Sequence, residues 1–225
     1  EAANIVKAEN KKISKIIGIN QAARTTCVKP AGTTSLVLGT SSGIHAWHNK
    51  YYIRRIRVGK NEAIYSYLKI NHPELIQDEY FRPHDTAVIE IPQAAPKGSI
   101  VRTESAFDLL ERVKKVATDW VATGHKSGSN THNVSATISL KDKEWEKAGE
   151  WMWENRNSYN GLSVLPYDGG TYTQAPFEDI NKTKYDEMTK LLQDIDLTKV
   201  VELNDNTDLS GELACAGGSC EVTSL

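Results

Sequence analysis

Between residues 105 and 165 the spacing of apolar residues switches from helical to alternating and back, and no other feature constrains the fold as tightly. Across residues 105–121, Phe107, Leu110, Val113, Ala117 and Trp120 recur at helical spacing and define one face. Residues 133–140 then alternate, with Val134, Ala136, Ile138 and Leu140 on one side of a strand. Residues 142–155 return to a helical stripe through Trp145, Ala148 and Met152, and residues 161–165 read as a strand again. Strands separated by helices of this length predict an α/β architecture.

The pattern extends in both directions. Residues 1–17 read as the interior of a helix, with Ile5, Val6, Ile13, Ile16 and Ile17 as its apolar positions and no capping residue ahead. A chain that opens inside a helix is expected to be a portion of a longer protein. Residues 25–29 read as a strand that Pro30-Ala-Gly32 breaks, residues 33–38 as a short helix ended by Gly39, and residues 51–58 as a strand. A helix over 61–70 stops before Pro73, a buried strand over 87–91 precedes Pro92, and a helix over 182–195 leads to a last short strand over 200–203. Residues 72–85 are expected to be a surface insertion. No internal boundary or repeat is visible.

Composition excludes several function classes. With 225 residues, 39% of them hydrophobic and 25% charged, the chain suits one large globular domain or part of a bigger one. A net charge of -2 gives no footprint for nucleic acid or an anionic membrane. No apolar run reaches the ~18 residues of a membrane span. Three cysteines behind a non-secretory Glu1-Ala-Ala opening point to a reducing, cytoplasmic setting.

Four segments carry candidate chemistry. Lys29-Pro-Ala-Gly-Thr-Thr-Ser35 follows a strand and opens a helix. Its hydroxyls beside free helix amides suit either a phosphate group or an ordinary helix cap, and the cap is the commoner use. His45 and His48, with Cys27 nearby, are metal donors by type, but no second ligand pair has zinc-like spacing, so no metal is assigned. Arg55 and Arg57 alternate onto one strand face and Arg54 onto the other, a pattern that usually marks a solvated face. Gly161-Leu-Ser-Val-Leu-Pro-Tyr-Asp-Gly-Gly170 ends a strand in a turn, where Asp168 is more often turn chemistry than an acid or base. Finally, Cys215-Ala-Gly-Gly-Ser-Cys220 lies in a polar tail without periodicity, so its two thiols can meet, oxidise and be reduced again.

Taken together these runs resemble the C-terminal part of the catalytic chain of ribonucleotide reductases, and most closely the adenosylcobalamin-dependent, class II ribonucleoside-triphosphate reductases. The runs are Thr26-Cys-Val-Lys-Pro-Ala-Gly-Thr-Thr-Ser35, Gly43-Ile-His45, Tyr51-Tyr-Ile-Arg-Arg55, His132-Asn-Val-Ser-Ala-Thr-Ile138, the 161–170 run and the Cys215/Cys220 tail. They occur in family order along nearly the whole chain. The resemblance implies a C-terminal portion of a ten-stranded α/β barrel over residues 1–203, followed by a flexible redox tail over 204–225. It implies that Ala31, Gly32, Thr33, Thr34 and Ser35 hold the substrate's phosphates. It further implies that Cys215 and Cys220 carry reducing equivalents from a thioredoxin-like protein to the active site.

The implied partners are a ribonucleotide, that reductant, adenosylcobalamin and the missing N-terminal part of the enzyme, with no nucleic acid and no membrane. The family's radical-bearing cysteine and the cysteine pair of its barrel have no counterpart in this chain, so the piece alone is expected to be inactive. The rival reading is a stand-alone nucleotide- or phosphate-binding module with an incidental cysteine pair. It predicts a complete core, whereas a portion of a larger barrel predicts an exposed apolar edge or seam. A small thiol oxidoreductase fits less well, because it prefers C-x-x-C at a helix N-terminus.

Overall fold

The computed structural model describes residues 1–167 and 172–204. Its elements in chain order are α1 (Ala2–Ile17), α2 (Gly32–Val37), β1 (Tyr51–Gly59), α3 (Ala63–Asn71), β2 (Ile76–Asp78), β3 (Thr86–Ala94), α4 (Ala106–Val116), β4 (Thr137–Leu140), α5 (Trp145–Glu154), β5 (Ser163–Pro166), β6 (Phe177–Asp179) and α6 (Lys182–Leu191). They divide into two compact units. One is Glu1–Ala46 with Arg102–Tyr167; the other is Trp47–Val101 with the described residues from Tyr172 onward. Periodicity marks elements but not which of them share a core, so this division was not visible in the sequence.

The first unit is built on a β4–α5–β5 crossover. β4 and β5 run parallel, with Thr137 opposite Ser163 and Leu140 opposite Pro166. α4 packs on this pair. Ser105 caps it by accepting from the Asp108 amide at 3.2 Å, while Asp108 accepts from the Ser105 amide at 2.9 Å. The Ser105 hydroxyl, donating to the Asp108 carboxylate at 2.8 Å, and then the Ser105 amide hold that carboxyl below its usual range. Ala106, Leu109, Leu110 and Val113 form the buried face of α4 and share a core with Val134, Ala136, Ile138, Leu140 and Ala148. Burying Leu110 or Val113 fully is worth about 1.5–3 kcal/mol each.

The helix expected over 105–121 changes character after Val116: Ala117–Ala122 continue as a π-turn. There the carbonyl of Trp120 accepts from Thr26 Oγ1 at 2.7 Å, and Trp120 Nε1 donates to the Cys27 carbonyl at 3.1 Å. The segment 25–29, expected as a strand, makes only an isolated parallel bridge between Val28 and Val134. The reason is that its hydrogen bonds are divided. Thr25 donates its amide to Gly124 at 3.2 Å, whereas Val28 exchanges bonds with Asn133 and Ser135. No single neighbour offers it a continuous ladder.

The second unit is a four-stranded antiparallel sheet in the order β2-β3-β1-β6. β1 and β3 pair along their whole lengths, from Tyr51 opposite Ala94 to Gly59 opposite Thr86. Val58, Tyr67, Leu68, Ile76, Ala87 and Ile89 form its core. Residues 72–85 are no surface insertion. Leu75 and Ile76 are buried, and β2 supplies the edge strand beside β3. Residues 200–203 form no strand. Asp196 instead accepts from the Thr198 amide at 3.1 Å and fixes a single tight turn at Leu197–Lys199. The mixed α/β class expected from the sequence is therefore observed, with the larger sheet antiparallel. No helix among the described residues is long and apolar enough to cross a membrane.

Candidate functional site

The Lys29–Ser35 run lies in the first unit, where the 24–29 segment meets α2. Pro30 has no amide to extend pairing, and Gly32 takes a left-handed φ of 47°, which glycine adopts without steric cost. Ala31 and Thr34 are exposed, and Ser35 is buried. The Ser35 hydroxyl donates to the Gly32 carbonyl at 2.6 Å, closing the first turn of α2 on itself. The Ser35 carbonyl accepts from the Thr40 amide at 2.9 Å. The loop thus presents Ala31, Gly32 and Thr34 outward and uses Ser35 to hold its own shape. Thr33 belongs to α2, and its side chain lies outside the described set.

A second turn braces this loop. The Ala31 amide donates to Ser42 Oγ at 3.2 Å. Gly43, at φ 58°, lies so close to the incoming segment that a Cβ there would sit 2.9 Å from the Lys29 carbonyl oxygen and 3.3 Å from Val28 Cγ1. His45 completes the brace. Its Nδ1 is 2.8 Å from the Ser42 carbonyl, and its Nε2 accepts from the Thr137 amide at 3.0 Å. These partners require the neutral tautomer with the proton on Nδ1. Burial lowers the pKa of His45, and the charges of Arg102 and Arg112 push the same way, against the raising effect of the Ser42 bond. Arg112 is itself held by Glu104 and donates to the Ile44 carbonyl at 3.0 Å.

The chain of bonds from β4 through His45 and Ser42 to Ala31 is the main feature that sequence reasoning missed. The Gly43-Ile-His45 run and the 132–138 run that contains Thr137 were its only traces, because Ser42 and Arg112 belong to no motif. His48 is also engaged, in the second unit: Nε2 lies 3.0 Å from Asp179, and the ring stacks on Phe177. Cys27 is half-buried.

The arginines of β1 are not a solvated face. Arg54 and Arg55 are buried, since β1 is the inner strand between β3 and β6. Arg54 lies over the Phe177 ring at 4.6 Å. Arg55 donates to Glu90 at 2.7 Å, to Glu178, and to the Ala175 carbonyl at 3.0 Å. Burial works against its charge, but the hydrogen bonds it donates to Glu178 and Glu90 outweigh that and raise its pKa. Arg57 pairs with Glu79 at 3.5 Å, and buried Glu79 also accepts from the amides of Phe81 and Arg82, each at 2.7 Å. The readings that fall on Asp168, Cys215 and Cys220 lie outside the described residues.

No family model matches the chain. The adenosylcobalamin-dependent ribonucleoside-triphosphate reductase of Lactobacillus acidophilus is 29% identical over 217 residues, covering 95% of this chain and 28% of the relative. The protein of the same name from Euglena gracilis is 28% identical over 227 residues, covering 98% of this chain and 29% of the relative. A solved structure of a B12-dependent (class II) ribonucleotide reductase superposes with a TM-score of 0.69 at 24% identity, over 88% of this chain and 28% of that one. The last is a likeness of fold. The resemblance carried by the motifs is borne out by these relatives, and the chain spans less than a third of their length.

Proposed function

We propose that this chain is the C-terminal portion of a class II ribonucleotide reductase, supplying the substrate-phosphate loop and the dithiol tail of the assembled enzyme. One observation carries the reading: similarity runs along 95% of the chain to a reductase of which it spans only 28%. The parallel β4–α5–β5 crossover supports a place for the first unit in a barrel of parallel half-sheets.

In the complete enzyme a cysteine thiyl radical takes the 3′-hydrogen of the ribose, and water leaves C2′. A cysteine pair supplies two electrons and two protons and becomes a disulfide, and the 3′-hydrogen returns. Cys215 and Cys220 then reduce that disulfide by thiol exchange, and a thioredoxin-like protein reduces them in turn. Gly32, Thr33 and Thr34 hold the substrate's phosphates on backbone amides and hydroxyls, while Ala31, whose amide is given to Ser42, and Ser35 shape the loop, so that the ribose is positioned for the radical step. The braced geometry of Ser42, Gly43 and His45 supports this role, since a loop that orients a substrate must itself be held.

Adenosylcobalamin is named for the relatives, and we extend it to the assembled enzyme. The histidines of the 43–48 turn do not fit the group. Both ring nitrogens of His45 are bonded, and His48 Nε2 is committed to Asp179. No residue of this chain is assigned to it.

The test combines the chain with the polypeptide that supplies the rest of the reductase and measures deoxynucleotide formation, with an intact class II enzyme as control. Activity in the mixture and in neither piece alone is expected. A folded mixture that stays inactive while the control turns over refutes the reading.

A further inference from the structure

α1 faces the wrong way for a helix at home in a finished domain. It packs on its own unit through small and polar positions. Ala3 and Ser14 are buried, and Lys7 donates to the His125 carbonyl at 3.1 Å. Its apolar side is turned out instead. Ile5 is 62% exposed, Val6 36%, Ile13 42%, Ile16 70% and Ile17 59%. At 100° per residue these five fall within about a third of the helix circumference, so they form one stripe rather than scattered contacts. A surface helix ordinarily turns such a stripe to a core, and a contiguous apolar patch rimmed by polar groups marks an interaction site. One ion pair interrupts the stripe: Glu9 falls within it at helical spacing and accepts from Lys12, at its border, at 3.1 Å, whereas Lys7 and Lys11 fall on the opposite side of the helix.

We infer that the outward apolar face of α1 is a docking surface for the polypeptide that makes up the rest of the reductase. It receives from that polypeptide an apolar face. The inference rests on the proposed function. The occupant follows from the length of the relatives, which carry about 70% of their chain beyond the part matched here.

The test places a photo-crosslinking residue at position 16 of the protein expressed in its source cells, with position 11 as the control. Position 16 is expected to cross-link to reductase polypeptide outside these 225 residues, and position 11 much less. The double substitution Ile5→Glu/Ile16→Glu is expected to weaken association with that polypeptide about a hundredfold. The urea midpoint of the chain itself should not move, because both side chains are exposed.

Several outcomes overturn the inference alone, if the enzyme still forms deoxynucleotides. They are cross-links from position 16 to α1 of a second copy, to lipid, or only to sites within the 225 residues; equal labelling from both positions; or an unchanged affinity of the double variant. A protein that neither cross-links to reductase polypeptide nor takes part in deoxynucleotide formation overturns the proposed function together with it.

Discussion

Gly124→Ala tests the packing that carries the segment leading into the Lys29–Ser35 run. Gly124 follows the π-turn and has no positive φ, so alanine meets no backbone penalty there. On backbone grounds alone the substitution would stabilise the protein by about 0.4–1 kcal/mol through the unfolded state. The structure reverses that sign. A Cβ on Gly124 would lie 1.9 Å from Thr26 Oγ1, 2.6 Å from its Cγ2 and 2.7 Å from its Cβ. Rotating Thr26 exchanges one clash for another, because its Cβ is itself too close. The backbone must therefore separate, in a place where Thr25 is bonded to the Gly124 carbonyl and Thr26 is buried.

Overpacking of this kind costs about 1–3 kcal/mol. Losing the 2.7 Å bond from Thr26 Oγ1 to Trp120 adds about 1 kcal/mol. The expected net loss is about 2–3 kcal/mol, read as a lower urea midpoint at unchanged slope by tryptophan fluorescence. Thr26→Gly in the same chain should remove the clash, so the double variant should lose less than the sum of the single losses. A Gly124→Ala protein as stable as the parent, or strictly additive losses, would refute the packing argument.

Three further outcomes follow from the same structure. Arg55→Met leaves Glu90 and Glu178 facing each other without their shared cation and should cost about 2–3 kcal/mol, toward the low side because Glu178 is half exposed; Glu90→Gln in that background should recover part of it in a denaturation series. Because burial depresses the pKa of His45, its contribution to stability is fully present above about pH 6.5 and is lost as the pH falls through its lower folded-state value. The parent's urea midpoint should therefore drop between pH 7 and 5 more steeply than that of His45→Gln, and parallel profiles would exclude this coupling. Replacing Cys215 and Cys220 by Ser should abolish turnover of the assembled enzyme with thioredoxin while sparing turnover with a small dithiol. Equal loss with both reductants would remove the shuttle role.

Much of the secondary structure was legible because it rests on local rules. α1, α4, α5 and α6 follow from helical spacing, and α4 also from the Ser105/Asp108 cap. β1, β3, β4 and β5 follow from alternation or short apolar runs between breakers. Misreadings arose where a neighbour remote in sequence decides. Residues 76–78 look like part of a polar insertion until β3 supplies the ladder that makes them an edge strand. β6 pairs with β1 across more than a hundred residues and has no periodicity of its own. Arg54 and Arg55, on opposite faces of β1, read as solvated, yet β6 and the carbonyls and carboxylate beside it bury both.

The candidate site divides in the same way. Sequence alone determined that a Pro-Ala-Gly break with hydroxyls behind it stands between an extended segment and a helix, because proline and glycine act on their own backbone. The order of the motifs along the chain was equally readable. Only the tertiary structure decided what holds that loop: Ser42 beneath Ala31, His45 reaching to Thr137, Gly43 pressed on Lys29, and Gly124 against Thr26. Only the structure turned the apolar side of α1 outward. Each of these is a contact between segments far apart in sequence, and such contacts depend on how distant surfaces pack, which no local spacing encodes.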